Sequence, residues 1–82
     1  MGDSMDALQI FSHNLKKLRI QKGFSQKEIA EISGLHRTYI SAIECGKRSI
    51  ALDNVQKIAD ALGVQPYQLF LINNNNTKTK EV

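Results

Sequence analysis

The sequence predicts a compact all-α domain of five short helices. Apolar residues recur at spacings of three and four along most of the chain, which is the signature of helices with one buried face. No stretch alternates with a period of two, so no strand is expected. Glycines stand at positions 23, 34 and 63, each just past a periodic apolar run, where helices end.

The first helix is expected over about residues 6–22, because Leu8, Phe11, Leu15 and Leu18 fall on one face. Gly23 stops it. Ser25-Gln26-Lys27-Glu28 reads as a capping box, in which the Ser25 hydroxyl accepts from the Glu28 amide and Glu28 reaches back to Ser25. A second helix follows from Gln26 to about Ser33, with Ile29, Ala30 and Ile32 as its apolar positions and Gly34 as its end. A third runs from about His36 to Cys45. Ile40 and Ile43 face inward, while His36, Arg37, Thr38 and Ser41 face outward. After the polar break Gly46-Lys47-Arg48-Ser49, a fourth helix spans about Leu52 to Leu62 on Leu52, Val55, Ile58, Ala59 and Leu62. Pro66 suits the first turn of a fifth helix, about Pro66 to Ile72. The domain is thus expected over residues 6–72, with a flexible N-terminus at 1–5 and a disordered polar tail at 73–82.

Composition narrows the function classes. The 82 residues suffice for one domain, and 41% hydrophobic content is that of a soluble globular protein. No apolar run approaches the roughly 20 residues that span a bilayer. The first residues lack the basic-then-apolar pattern of a signal peptide, so a cytoplasmic location is expected. One cysteine, Cys45, excludes an intrachain disulfide, and with only two histidines no metal site and no cofactor are expected. No nucleophile–base–acid constellation is visible, which argues against an enzyme. The net charge of +3 is compatible with a polyanionic partner without requiring one. Lys16, Lys17 and Lys22 read as a solvated helix face.

The informative stretch is Gln26 to Gly46. It holds a short helix, a glycine turn and a second short helix with a polar outer face. A helix of this width fits the DNA major groove. In a helix-turn-helix the first helix crosses the phosphate backbone and the second enters the groove. Ala30, Leu35, Ile40 and Ile43 would fill the contact between the two.

The segment Ser25-Gln-Lys-Glu-Ile-Ala-Glu-Ile-Ser-Gly-Leu-His-Arg-Thr-Tyr-Ile-Ser-Ala-Ile-Glu-Cys-Gly46 resembles the phage repressor/Cro-type helix-turn-helix family, with agreement from about Phe11 to Phe70. Within it, Leu35-His-Arg-Thr-Tyr-Ile-Ser41 is most similar to restriction-modification controller proteins. The resemblance implies a lambda-repressor-like fold and a transcriptional regulator, repressor or activator, that binds double-stranded DNA as a homodimer. It implies base reading by His36, Arg37, Thr38 and Ser41. Arg37 leads that set, since its guanidinium can pair bidentately with guanine O6 and N7. Thr38 can touch a thymine methyl or donate to a base or phosphate. Gln26, Tyr39, Lys47 and Arg48 are implied as phosphate contacts, and Arg19 with Glu44 as a bridge between the first and third helices. The family places a serine or threonine before the fourth helix; here Ala51 stands there, with Asp53 or Ser49 as substitutes. Tyr67, Leu69, Phe70 and Ile72 are too many apolar groups for a small domain to hide, so a two-fold interface is expected on the fifth helix. Two dimers on one operator and contact with RNA polymerase belong to the same reading. The competing reading is a protein-interaction module on the same fold, such as the antitoxin partner of a toxin.

Overall fold

The computed structural model describes residues 6–72, and the expectations for residues 1–5 and 73–82 lie outside them. Four α-helices follow in order: α1 (Ala7–Gln21), α2 (Gln26–Ser33), α3 (Arg37–Glu44) and α4 (Leu52–Leu62). A 3₁₀ segment, Pro66–Phe70, closes the domain. No strand occurs among the described residues.

Local chemistry explains most boundaries. At the start of α1, the Asp6 carboxylate accepts from the Gln9 amide at 2.8 Å, and the Gln9 side chain accepts from the Asp6 amide at 3.2 Å. The same reciprocal arrangement opens α2, with Glu28 N–H to Ser25 Oγ at 3.0 Å and Ser25 N–H to Glu28 Oε1 at 2.8 Å. Gly34 ends α2 at φ +78°, a left-handed conformation that costs glycine little. This sharp stop lets α3 begin only three residues later. His36 is the N-cap of α3 rather than its first residue, and its side chain makes no capping bond. Nor does any side chain cap α4. Neither Ser49 nor Asp53 replaces the missing hydroxyl at Ala51, because a cap must reach forward from the N-cap residue itself. Asp53 instead places a negative charge in the first turn, which suits the helix dipole.

Every element contributes to one core. Phe11 and Leu15 of α1 meet Ile29 and Ala30 of α2, Ile40 and Ile43 of α3, and Val55, Ile58, Ala59 and Leu62 of α4. Leu69 fills the remaining side. Two residues expected on buried stripes are on the surface: Ile32, at the end of α2, and Leu52, at the start of α4. Each sits at a helix end, where the stripe has run past the core.

The fifth α-helix is not present. Its place is taken by the five-residue 3₁₀ segment, after which Leu71 is extended. Buried Asn14 explains the stop. Its Nδ2 donates to the Leu69 carbonyl at 3.0 Å and to the Leu71 carbonyl at 2.8 Å. Those carbonyls are therefore satisfied by α1 rather than by a further turn. The change of helix type also corrects the expectation for Leu69. Side chains three apart eclipse in a 3₁₀ helix, so Tyr67 and Phe70 share the outer side while Leu69 turns inward. Leu69 is fully buried in its own core and cannot face a partner.

Candidate nucleic-acid interface

The N-terminal end of α3 presents exposed polar side chains on an element whose inner face is buried. Ile40 and Ile43 anchor its inner face in the core. His36, Arg37 and Thr38 are exposed at its N-terminal end, whereas Ser41 and Tyr39 are half-buried. Lys47 and Arg48 are exposed in the loop that follows. The 3.6-residue period of the helix produces this division: the two isoleucines three apart fix one side inward and leave the other outward.

The opposite end of α3 is clamped. Glu44, its last residue, has a side chain only 3% exposed. Arg19, in the last turn of α1, donates to it twice: Nε to Oε2 at 2.6 Å and Nη2 to Oε1 at 3.0 Å. Arg19 Nη1 also donates to the Phe24 carbonyl at 2.8 Å, which holds the link between α1 and α2. Gln26 Nε2, at the first position of α2, donates to Glu44 Oε1 at 3.1 Å. One carboxylate thus joins three helices. A planar guanidinium matched to a carboxylate fixes direction as well as distance. A second tie comes from buried Ser12 of α1, whose hydroxyl donates to the Ile43 carbonyl.

A groove of mixed polar and apolar lining lies beside α3. It is lined by Gly34, Leu35, His36, Thr38, Tyr39, Arg48 and Asn54. The Tyr39 ring packs against the core, so its hydroxyl is carried outward to the groove. The Arg48 guanidinium lies over this ring, 5.3 Å from its centroid. Asn54 of α4 donates to the Tyr39 hydroxyl oxygen at 3.0 Å.

The predicted residues therefore fall into groups. His36, Arg37, Thr38, Ser41 and Tyr39 share α3, with Lys47 and Arg48 immediately after it. Gln26 is brought to the ion pair at the far end. Tyr67 and Phe70 of the closing segment and Ile72, two residues after it, are exposed apolar side chains apart from α3; Ile72 is 70% exposed and Phe70 40%. Leu71, not anticipated, is exposed beside them. The Phe70 ring also leans on Phe11, with centroids 5.3 Å apart. Ser12, Asn14 and Asn54 were missed as well. The partners they bind lie 31, 55 and 15 residues away in sequence, so no local spacing announces them. Among the described residues, no three His, Cys, Asp or Glu side chains gather as metal ligands, and no helix is long and apolar enough to cross a membrane.

Comparison with known proteins gives this arrangement a family. The helix-turn-helix family pattern matches residues 15–69. Control protein C.BamHI of Bacillus amyloliquefaciens is 48% identical over 61 residues, 73% of this chain and 75% of that protein. The crystal structure of the restriction-modification controller protein C.AhdI from Aeromonas hydrophila is similar with a TM-score of 0.75 at 43% identity, covering 77% of this chain and 96% of that one. The controller protein C.Esp1396I, solved as a tetramer on its natural 35-base-pair operator, is similar with a TM-score of 0.74 at 34% identity, covering 82% of this chain and 88% of that one. The match of α1 through the closing segment, with the turn at Gly34 and α3 held across it, means that this chain belongs to the helix-turn-helix family and counts restriction-modification controller proteins among its relatives.

Proposed function

We propose that this protein is a sequence-specific DNA-binding transcriptional regulator that acts as a homodimer on a palindromic operator, in the manner of a restriction-modification controller protein. The observation that carries the reading is the asymmetry of α3. Its C-terminal end is locked to α1 and α2 through Glu44, and its N-terminal end displays exposed His36, Arg37 and Thr38. A rigidly held rod with a polar tip is what major-groove reading requires. The relative C.Esp1396I, solved on its operator, supports the same use of the fold.

In this reading Arg37 pairs with a guanine edge, and His36, Thr38 and Ser41 complete the base contacts. Lys47, Arg48 and the Tyr39 hydroxyl hold phosphates. Gln26 has one amide hydrogen on Glu44 and a second left for a phosphate oxygen, so it links the backbone of DNA to the clamp of α3. Tyr67, Phe70 and Ile72, joined by Leu71, form the two-fold interface. Pairing places two α3 rods about 34 Å apart, one turn of duplex. Two dimers side by side would follow the tetrameric arrangement of C.Esp1396I. Control comes from protein concentration through the dimer equilibrium, and the sign of regulation from operator position relative to RNA polymerase.

Selection from random duplexes tests the whole reading. The expected product is a two-fold symmetric site with half-sites about 10 base pairs apart. A pool without enrichment, or an asymmetric single half-site, would overturn it.

A further inference from the structure

Three polar side chains from three elements meet beside α3, and one of them has no part in the contacts assigned above. Tyr39 belongs to α3, Arg48 to the following loop and Asn54 to the first turn of α4. A phenolic hydroxyl has one proton to donate and an oxygen that accepts. Asn54 Nδ2 fills the accepting role at 3.0 Å. The hydroxyl proton is then left for a group outside the protein, at a groove lined by Tyr39, Arg48 and Thr38. Phosphate oxygens at the duplex surface only accept, so a hydroxyl held as a donor has the polarity they need. The cation over the Tyr39 ring adds positive charge at the same place.

We propose that Asn54 is a positioning residue for DNA binding: by donating to the Tyr39 hydroxyl it fixes that hydroxyl as a donor to a backbone phosphate, next to Arg48. The inference rests on the DNA-binding reading and deepens it. Asn54 acts through Tyr39 and makes no DNA contact itself. The link also couples α4 to α3, so the groove wall and the reading helix keep one spacing.

A double-mutant cycle tests this, read as the Kd for a labelled mixed-sequence duplex of about 20 base pairs at low salt, since phosphate contacts are independent of sequence. Asn54→Ala and Tyr39→Phe are each expected to weaken binding about fivefold, and the double variant no more than either alone. Asn54→Asp keeps the shape but can only accept. It draws the hydroxyl proton back into the protein and is expected to weaken binding more than Asn54→Ala does. Two results overturn the assignment: an Asn54→Ala loss that persists undiminished beside Tyr39→Phe, which marks a direct contact or a general structural effect, or Asn54→Asp binding as tightly as the wild type. Failure of the DNA-binding reading looks different, because the wild-type protein itself then binds no duplex, and the Asn54 proposal falls with it.

Discussion

Removing Arg19 should be the most costly single change to a charged residue in this domain. Arg19→Met keeps much of the side-chain length but leaves the Glu44 carboxylate, 3% exposed, with the Gln26 amide as its remaining side-chain donor. It also removes the bond from Arg19 Nη1 to the Phe24 carbonyl. An exposed ion pair is worth about 0–1 kcal/mol, whereas breaking a buried one costs about 3–5 kcal/mol because one charge is stranded. The geometry here, two parallel bonds at 2.6 and 3.0 Å on a buried carboxylate, places the pair in the second class. At about 4–8 °C per kcal/mol for a domain of this size, a loss of about 3 kcal/mol lowers Tm by about 12–24 °C. The assay is a thermal melt followed by circular dichroism at fixed protein concentration, since dimerisation would shift Tm by mass action. Arg19→Met with Glu44→Leu should recover a large part of the loss, because it strands no charge. A drop below about 4 °C for Arg19→Met would refute the reasoning, as would a double variant less stable than the single.

Further outcomes follow for the proposed interface. Arg37→Ala should relax preference at one symmetric operator position, by about 1–3 kcal/mol of discrimination, with Tm nearly unchanged; selectivity retained across a randomised site library would remove Arg37 from base reading. Lys47→Ala should weaken binding about equally on all duplexes and lower the salt slope by about one, and a sequence-dependent loss would contradict a phosphate role. Phe70→Asp should give monomers in sedimentation but also disturbs the ring contact with Phe11. Ile72→Asp, at a position 70% exposed, separates the two effects: it should dissociate the dimer with the monomer fold intact, and an unchanged sedimentation coefficient would place the interface elsewhere.

The parts of the structure that were legible in the sequence are those encoded locally. Ser25 and Glu28 lie three apart and announce the start of α2; Gly34 and Gly63 announce ends because the left-handed conformation suits glycine. The buried apolar positions Phe11 and Leu15 of α1, Ile40 and Ile43 of α3 and those of the middle of α4 follow from helical period, whereas the buried polar residues of α1, Ser12, Asn14 and Arg19, do not. Helical period misplaced Ile32 and Leu52, because periodicity does not say how far the core extends along a helix. It misplaced Leu69 because a 3₁₀ segment changes the phase of the faces, and the reason for that segment, Asn14, lies in α1. Arg19 and Glu44 could be paired only through family resemblance, since 25 residues separate them. Asn54 carried no signal at all. An asparagine in the first turn of a helix is ordinary until the folded chain sets it against a tyrosine from another element.

The way α3 is held has an evolutionary consequence. The helix is held at its base by Glu44 and Ser12, along its inner face by Ile40 and Ile43 and through Tyr39 by Asn54, so that only the outward side chains of its tip are open. His36, Arg37 and Thr38 lie outside the core, and the His36 side chain caps nothing. Exchange of those tip residues therefore alters what the rod touches while leaving the helix and its mounting intact. A lineage built on this scaffold can drift from one operator to another through a few surface substitutions, each nearly free of folding penalty.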